Sequence, residues 1–262
     1  MNMRYIATLI LSILFNASVL ADVNCFIIKK NGTVITQEGE CRIRHTPCST
    51  FKIAISLMGY NEGILLDEIQ PELPFQADYI DTYETWRQPH NPTTWFKNSC
   101  VWFSQVITKK LGFNKFTNYL AKFNYGNQDA SGNKNTNNGL TNCWLSSSLK
   151  ISPLEQMEFL EKLATNQLTI SQVAQEFTSK IMYIETLSNG WKLYGKTGGG
   201  YGVDSTGLID RNKNIGWFVG WIEKDRQKII FVNYLEGIHQ NNLSMPMRAK
   251  IQVREKITAL TK

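Results

Sequence analysis

The sequence predicts an α+β or α/β protein whose antiparallel sheet is built from both chain ends, is flanked by terminal helices and encloses an inserted all-helical region. β-prone runs lie near residue 25 and again after residue 189, and helical periodicity fills the interval between them. Of the 262 residues, 42% are apolar and 19% charged, which is a globular composition. The 28 basic and 22 acidic residues are scattered without a basic block. We therefore expect no nucleic-acid partner.

The first 21 residues have the composition of a secretory signal peptide. Arg4 precedes the apolar run Ile6–Phe15, and Val19-Leu20-Ala21 places small or apolar residues before a cleavage site. The alternative is a membrane anchor, but the run is shorter than the ~20 residues of a spanning helix. We expect cleavage after Ala21, secretion to the periplasm, no membrane contact afterwards and a single domain over residues 22–262.

The N-terminal part of the mature chain is expected to form a β-hairpin. Cys25–Lys30 and Thr33–Gln37 are β-prone, and the Asn31-Gly32 pair between them favours a tight turn. Cys25 and Cys41 flank this hairpin and could form a disulfide in an oxidising compartment. The sequence does not decide between the disulfide and two free thiols. The other three cysteines, at 48, 100 and 143, lie in apolar surroundings that favour buried, unreactive thiols.

The middle of the chain is predicted to be helical. A first helix is expected over Thr50–Asn61, followed by a loop-rich stretch with four prolines. Ser152 and Glu155 form a capping box at the start of one later helix. The further helices are predicted at Val101–Lys110, Asn114–Phe123, Ser152–Thr165 and Ile170–Ile181.

The C-terminal part returns to β structure and ends in a helix. Alternating or apolar runs are separated by turns that contain Gly and Asn. The predicted elements are strands at Trp191–Tyr194, Ser205–Asp210, Ile215–Glu223 and Lys228–Leu235, and a final helix over Met245–Leu260.

Ser49 and Lys52 are the first candidate catalytic pair. Residues three apart on a helix share one face, so the Lys52 amine can approach the Ser49 hydroxyl. A serine hydroxyl needs a base to become a nucleophile. Apolar neighbours such as Phe51 and Ile53 are expected to lower the lysine pKa. Taken alone, the pair also fits an ordinary N-cap serine and a surface lysine.

Two further clusters strengthen the catalytic interpretation. Ser99 and Val101 stand at the beginning of a helical run, and Lys196-Thr197-Gly198 follows a predicted strand. S-x-x-K, then S-x-N or S-x-V, and then K-T-G in this order are typical of penicillin-recognising serine enzymes. A G-x-x-x-x-G-K-T match overlaps the third motif, but its bulky residues and following glycines exclude a phosphate-binding loop. The histidines and cysteines lack zinc-ligand spacing, so no metal site is expected.

On these residues the sequence resembles the class D serine β-lactamases, the oxacillinase family. The likeness extends from about Cys25 to the final helix, and valine at the second motif is the class D form. Where Tyr125–Asn127 is concerned, a structural turn is the favoured role. The segments that carry the resemblance are Pro47–Lys52, Ser99–Val101, Tyr125–Asn127, Cys143–Leu145, Leu149–Pro153, Lys196–Gly198 and Arg248.

The resemblance implies the penicillin-recognising fold and hydrolysis of β-lactams through a serine acyl-enzyme. Ser49 would be the nucleophile. Lys52, carboxylated by carbon dioxide to N6-carboxylysine, would be the base for acylation and deacylation. Trp144 would donate its indole N–H to that group, Val101 would keep the pocket apolar, and Ser99 would relay a proton. The resemblance implies no cofactor, and carbon dioxide or bicarbonate enters only as the modification of Lys52.

The same resemblance implies how a β-lactam would bind. Backbone N–H groups of Ser49 and Gly199 would form the oxyanion hole. Arg248 would bind the substrate carboxylate through two parallel hydrogen bonds, together with Lys196 and Thr197 of the strand motif. The implied substrate-binding residues are Lys196, Thr197, Gly198, Gly199 and Arg248.

Other functions and bases remain to be compared with this interpretation. A β-lactam sensor shares the motifs but stays acylated, and a peptidoglycan DD-peptidase usually carries asparagine where Val101 stands. Glu161 with Asn166 has the wrong spacing for a class A deacylation base. The sequence leaves the substrate spectrum and the oligomeric state open.

Overall fold

A six-stranded antiparallel sheet forms the centre of the computed structural model, which describes residues 23–237 and 243–261. The strand order is β2-β1-β6-β5-β4-β3, so the N-terminal hairpin joins the C-terminal strands through the β1–β6 pairing. This confirms a sheet made from both chain ends. The predicted signal peptide, residues 1–21, lies outside the described residues. The strands are β1 (Val23–Lys30), β2 (Thr33–Gly39), β3 (Tyr183–Thr186), β4 (Lys192–Val203), β5 (Ile209–Lys224) and β6 (Gln227–Gly237).

Seven helices lie between β2 and β3 in the described part of the chain, and an eighth follows β6. The seven confirm the inserted helical region, and α8 packs on β4, β5 and β6. No helix within residues 23–237 and 243–261 combines the length and apolar character needed to cross a bilayer. The helices are α1 (Lys52–Asn61), α2 (Pro92–Lys97), α3 (Val101–Leu111), α4 (Phe113–Lys122), α5 (Gly139–Asn142), α6 (Pro153–Ala164), α7 (Gln172–Met182) and α8 (Met245–Leu260).

The sheet separates two apolar clusters because side chains alternate across each strand. On β1, Cys25 and Ile27 belong to the larger cluster with the helical region, whereas Phe26 and Ile28 pack with the α8 side. The larger cluster also contains most of α1, which is buried along nearly its whole length. The first long helix is therefore a core element, and residues at its start are held rigidly.

The N-terminal hairpin is cross-linked. Asn31 and Gly32 adopt φ of 50° and 78°, as the tight turn requires. Cys25 and Cys41 form a disulfide, with Cα atoms 5.0 Å apart. Cys48 is one of three free cysteines in the described residues, and all three are buried.

The predicted strand Ser205–Asp210 is wrong. The carboxylate of Asp204 accepts hydrogen bonds from the backbone N–H of Thr206 at 2.8 Å and of Leu208 at 3.0 Å. These bonds close a turn between β4 and β5, and β5 begins only at Ile209. Local side-chain acceptors thus compete successfully with strand pairing. The structure also contains α2 and the short edge strand β3, neither of which the sequence predicts.

The predicted helix over Thr50–Asn61 is replaced in its first turn by a tighter one. A 3-10 turn covers Cys48–Phe51, and α1 begins at Lys52. By contrast, the capping box at α6 is confirmed. Ser152 Oγ accepts from the Glu155 N–H at 3.2 Å, and the Glu155 carboxylate accepts from the Ser152 N–H at 2.9 Å.

Candidate active site

Five residues selected from the sequence line one open cavity of about 640 Å³. Ser49 comes from the 3-10 turn before α1, Ser99 and Val101 come from the start of α3, and Thr197 and Gly199 come from β4. The cavity lies where the helical region meets the edge of β4. The fold therefore brings together three motifs that are far apart in the sequence.

Ser49 and Lys52 are in hydrogen-bond contact. The Lys52 Nζ donates to Ser49 Oγ at 3.2 Å. Lys52 is completely buried, whereas Ser49 is partly exposed to the cavity. Thr50 closes the 3-10 turn by donating its hydroxyl to the carbonyl of Pro47 at 2.7 Å. The turn thus presents the serine hydroxyl to the cavity and places the amine behind it.

The surroundings of Lys52 favour a neutral amine. Burial lowers the pKa of Lys52 to about 8, and the neighbouring Cys100 and Cys48 oppose this shift only in part. Burial also raises the pKa of both thiols to about 11, so both are uncharged near neutral pH. Relative to an ordinary lysine, the neutral fraction at pH 7 is about 300-fold larger. The amine can therefore accept a proton or react with an electrophile.

Trp144 is completely buried, and its indole N–H lacks an acceptor among the described residues. The ring packs on Phe51, with centroids 5.5 Å apart, and on Phe116 at 6.4 Å. Phe51 lies in the 3-10 turn directly before Lys52, so the indole packs against the turn that carries Ser49. Buried indole N–H groups normally find a partner. An acceptor added next to this indole would fit that donor.

Ser99 and Lys196 form the second hydroxyl–amine pair. The Lys196 Nζ donates to Ser99 Oγ and, at 3.0 Å, to the carbonyl of Thr197. It also lies 5.6 Å from the ring centroid of Phe96. Burial lowers the pKa of Lys196 well below its ordinary value, and the charges of Lys52 and then Lys250 lower it further. The serine of this pair lines the same cavity as Ser49.

The K-T-G motif lies in the middle of β4, and not at the end of a short strand as the sequence indicates. A Cβ on Gly198 would lie 2.9 Å from the Pro47 carbonyl oxygen, and one on Gly199 would lie 2.6 Å from Pro246 Cγ. Glycine is therefore required here because the 3-10 turn and the start of α8 both approach the strand. This close approach places the strand beside the nucleophile.

The backbone N–H of Gly199 points to the cavity edge of β4. Tyr201, two residues later, donates its N–H to Ser146 Oγ at 3.0 Å, away from β5. The β4–β5 pairing is regular from Lys192 to Tyr201, so N–H groups two residues apart share one edge. Gly199 is thus available as a donor to a bound carbonyl oxygen.

Arg248 and Glu161 occupy other positions. Arg248, on α8, donates to the Met245 sulfur at 3.1 Å and does not line the cavity, although Met245 does. Its role in carboxylate binding stays a prediction. Glu161 pairs with Lys29 on β1 and is not part of the cavity wall.

Much of the cavity wall was not predicted. Trp86 ends a 3-10 turn in the proline-rich stretch, and Tyr83 directly precedes that turn. Hydrophobic periodicity gives no signal for this turn, and the only signal in the sequence is the pair of aromatic residues. Tyr125 is buried and donates its hydroxyl to Gln156 at 3.2 Å, which agrees with the structural role favoured for this element. The remaining apolar lining residues are Leu145, Ile215, Met245 and Pro246.

Comparisons with known proteins identify relatives over most of the chain. The family model "Penicillin binding protein transpeptidase domain" matches residues 26–258. Beta-lactamase OXA-9 of Klebsiella pneumoniae is 36% identical over 231 residues, which cover 87% of this chain and 84% of the relative. Beta-lactamase OXA-1 of Escherichia coli is 44% identical over 215 residues, or 81% of this chain and 74% of the relative.

A solved structure gives the same result at the level of the fold. The crystal structure of OXA-427, a class D β-lactamase, superposes with a TM-score of 0.86 at 39% identity. The alignment covers 90% of this chain and 98% of that one. From its sequence relatives, its fold and the arrangement of its three motifs, the chain belongs to the class D β-lactamase family.

Proposed function

We propose that this serine β-lactamase hydrolyses β-lactams through an acyl-enzyme on Ser49, with carboxylated Lys52 as the general base in both half-reactions. Membership of the family supports the hydrolysis. The observation that carries the mechanism is the contact at 3.2 Å between Ser49 Oγ and the amine of a completely buried lysine. No carboxylate is among the neighbours that shift the Lys52 pKa.

The residues around Lys52 fit a carbon dioxide adduct. Carbon dioxide reacts with a neutral amine, and burial lowers the pKa of Lys52 to about 8. The product supplies a carboxylate-like base where the amine stood. The buried N–H of Trp144 is a donor for such an oxygen, and Val101, which is 7% exposed, keeps the entrance apolar.

In acylation, Ser49 loses its proton to the base and its Oγ bonds to the lactam carbonyl carbon. The backbone N–H groups of Ser49 and Gly199 stabilise the oxyanion. The C–N bond of the lactam then breaks, and Ser99, held by Lys196, gives its proton to the nitrogen and regains one from the base. The proton taken from Ser49 is thus relayed to the leaving nitrogen, and the base is free again for deacylation. In deacylation, a water molecule loses its proton to the same base and cleaves the ester, which returns the proton to Ser49 Oγ.

The substrate carboxylate is assigned to the β4 side of the cavity. Thr197 lines the cavity and is partly exposed, and the Nζ of Lys196, the preceding residue on β4, lies 3.0 Å from the Thr197 carbonyl oxygen. Arg248 is the third member of this group, and its guanidinium donates to the Met245 sulfur in this structure. A charge-assisted hydrogen bond from arginine contributes about 1.5–3 kcal/mol.

A stoichiometric assay of nitrocefin distinguishes hydrolysis from the two alternatives. Purified residues 22–262 are expected to turn over many equivalents per chain, and Ser49→Ala is expected to turn over none. The alanine variant should stay folded, because Ser49 makes no capping hydrogen bond in its turn. A single equivalent per chain would indicate a sensor, and turnover of a D-Ala-D-Ala peptide in preference to nitrocefin would indicate a DD-peptidase.

Export to the periplasm is part of the proposal. It rests on the residue pattern of positions 1–21. N-terminal sequencing of protein recovered from the periplasm is expected to begin at Asp22. A product that retains residues 1–21 and sediments with membranes would contradict it.

A further inference from the structure

Two buried hydroxyls, those of Thr46 and Ser146, join three chain segments around the catalytic serine. Thr46 Oγ1 donates to the carbonyl of Trp144 at 3.0 Å and accepts from the N–H of Ser146 at 3.1 Å. Ser146 Oγ in turn accepts from the N–H of Tyr201 on β4 at 3.0 Å. Thr46 is 2% exposed and Ser146 is 7% exposed. The nucleophile segment, the Trp144 segment and β4 are therefore connected through two side chains.

This connection is anchored to the sheet. The carbonyl of Thr46 accepts from the indole N–H of Trp217, on β5, at 3.0 Å. Thr46 lies three residues before Ser49, and only Pro47 and Cys48 separate the anchor from the nucleophile. A shift of the Thr46 hydroxyl would thus move the Trp144 backbone relative to Ser49 and Lys52.

Ser146 is held in a strained conformation. Its φ is 51°, in the left-handed region that non-glycine residues rarely adopt. Cys48, directly before the nucleophile, and Ser99, which lines the cavity, also have positive φ, at 49° and 54°. Strain of this kind persists only where surrounding contacts enforce it, and it is concentrated at functional sites. For Ser146, those contacts are the hydrogen bonds to Thr46 and Tyr201.

The space around Ser146 is matched to this role. A Cβ on Gly200 would lie 2.8 Å from Ser146 Oγ and 2.7 Å from Cys48 Sγ. The missing side chain of Gly200 therefore leaves the room through which Ser146 reaches the N–H of Tyr201. That bond fixes the edge of β4 two residues beyond Gly199, whose N–H points to the same edge.

We propose that Thr46 and Ser146 are positioning residues of the reaction. Thr46 sets where the Trp144 indole lies relative to Lys52, and Ser146 keeps the Gly199 N–H directed at the developing oxyanion. The inference rests on the proposed function, because it assigns what these two residues contribute to that mechanism. Neither residue touches the substrate in this role.

The first test separates positioning from stability at Ser146. Ser146→Gly removes the bond to Tyr201 but suits φ of 51°, whereas Ser146→Ala removes the bond and keeps the strain. We expect both variants to lose about tenfold in kcat for nitrocefin, as one orienting hydrogen bond implies. Ser146→Gly should also unfold at a higher temperature than Ser146→Ala. Parental kcat in Ser146→Gly would overturn the role of Ser146.

The second test uses Thr46→Val, which keeps the side-chain shape without the hydroxyl, and Thr46→Ser, which keeps the hydroxyl. We expect Thr46→Val to need about tenfold more bicarbonate for half-maximal activity per folded chain. Thr46→Ser should stay near the parent. Equal bicarbonate requirements in all three proteins, with a lower unfolding temperature in Thr46→Val, would leave Thr46 a purely structural role and overturn its part of the inference.

The two arms also separate this inference from the proposed function. A parent without any bicarbonate dependence would contradict the carboxylated lysine and, with it, the role of Thr46. The Ser146 arm reads the oxyanion hole through kcat and does not depend on the identity of the base. It therefore decides the role of Ser146 in either case.

Discussion

Two serines that line the cavity, Ser49 and Ser99, each contact a buried lysine, but the two lysines differ in their hydrogen bonds. Lys52 has Ser49 Oγ as its hydrogen-bond acceptor, at 3.2 Å, and lies near two neutral thiols. Lys196 donates both to Ser99 Oγ and to a carbonyl oxygen, and it lies over the ring of Phe96. An ammonium group has three protons to place. Among the described residues, Lys196 contacts two acceptors for these protons and Lys52 contacts one.

On the proposed mechanism, this difference suits the two lysines to different tasks. Lys52 would act from a neutral amine, and Lys196 would act as an ammonium once a negative charge is near. In the unmodified protein, burial and then the charge of Lys52 lower the pKa of Lys196. On the proposed mechanism, carboxylation replaces that positive charge by a negative one, so it raises the pKa of Lys196. Carboxylation of Lys52 would therefore favour a positively charged Lys196, which suits binding of the substrate carboxylate.

The largest effect on activity is expected from replacement of Lys52. Lys52→Met should lower kcat at least 1000-fold, which is in the range for loss of a general base. Its unfolding temperature should equal or exceed that of the parent, because an apolar side chain avoids the desolvation of a buried lysine. Nitrocefin assays and thermal unfolding measure both. Residual kcat within tenfold of the parent would show that the base is elsewhere.

The pH dependence of activity should show whether Lys52 reacts with carbon dioxide. Below the Lys52 pKa of about 8, the neutral amine decreases about tenfold per pH unit. At subsaturating, fixed dissolved carbon dioxide, activity should therefore fall as the pH decreases from 7.5 to 5.5, and added carbon dioxide should restore it. A pH profile that is indifferent to carbon dioxide would assign the fall to another group.

A smaller effect on activity is expected from replacement of Arg248, which is proposed to bind the substrate carboxylate. Arg248→Ala should raise KM about tenfold with little change in kcat, as loss of a charge-assisted bond to the ground state and transition state implies. Arg248→Lys is the matched control, since it keeps the charge without the bidentate fork. An unchanged KM would leave the carboxylate to Lys196 and Thr197.

The smallest effect on activity is expected at the N-terminal hairpin, at the opposite side of the sheet from β4. Cys25→Ser breaks a disulfide that spans 16 residues and should lower the free energy of unfolding by about 3 kcal/mol. Because β2 and β1 lie three or more strands from β4, kcat and KM should be unchanged at temperatures where the variant is folded. Altered kinetics there would mean that the two regions are coupled.

The sequence predicts the elements with strong local signals and the motifs with fixed spacing. The Asn31-Gly32 turn, the capping box at Ser152 and the helix Met245–Leu260 are all found where expected. The strand Ser205–Asp210 fails because the Asp204 side chain closes a turn, and α2 is missed because it has only six residues.

The site is predictable as a set of residues but not as a geometry. Ser49, Ser99 and Thr197 are recognisable from their motifs, and the structure places them on one cavity. The contacts that fix them are non-local: Ser146 meets Tyr201 across 55 residues, and Lys196 meets Ser99 across 97. Spacing along the chain contains no signal for such pairs, which depend on the packing of the sheet against the helices.

The carboxylated lysine is tested most directly by ¹³C NMR of the parent protein with labelled bicarbonate, alongside Trp144→Phe and Lys52→Met. We predict a carbamate signal in the parent that grows in parallel with kcat as bicarbonate is added. The signal should need more bicarbonate in Trp144→Phe, which keeps the ring but lacks the indole donor, and should be missing in Lys52→Met. Full turnover by the parent in degassed buffer without a carbamate signal would contradict the mechanism.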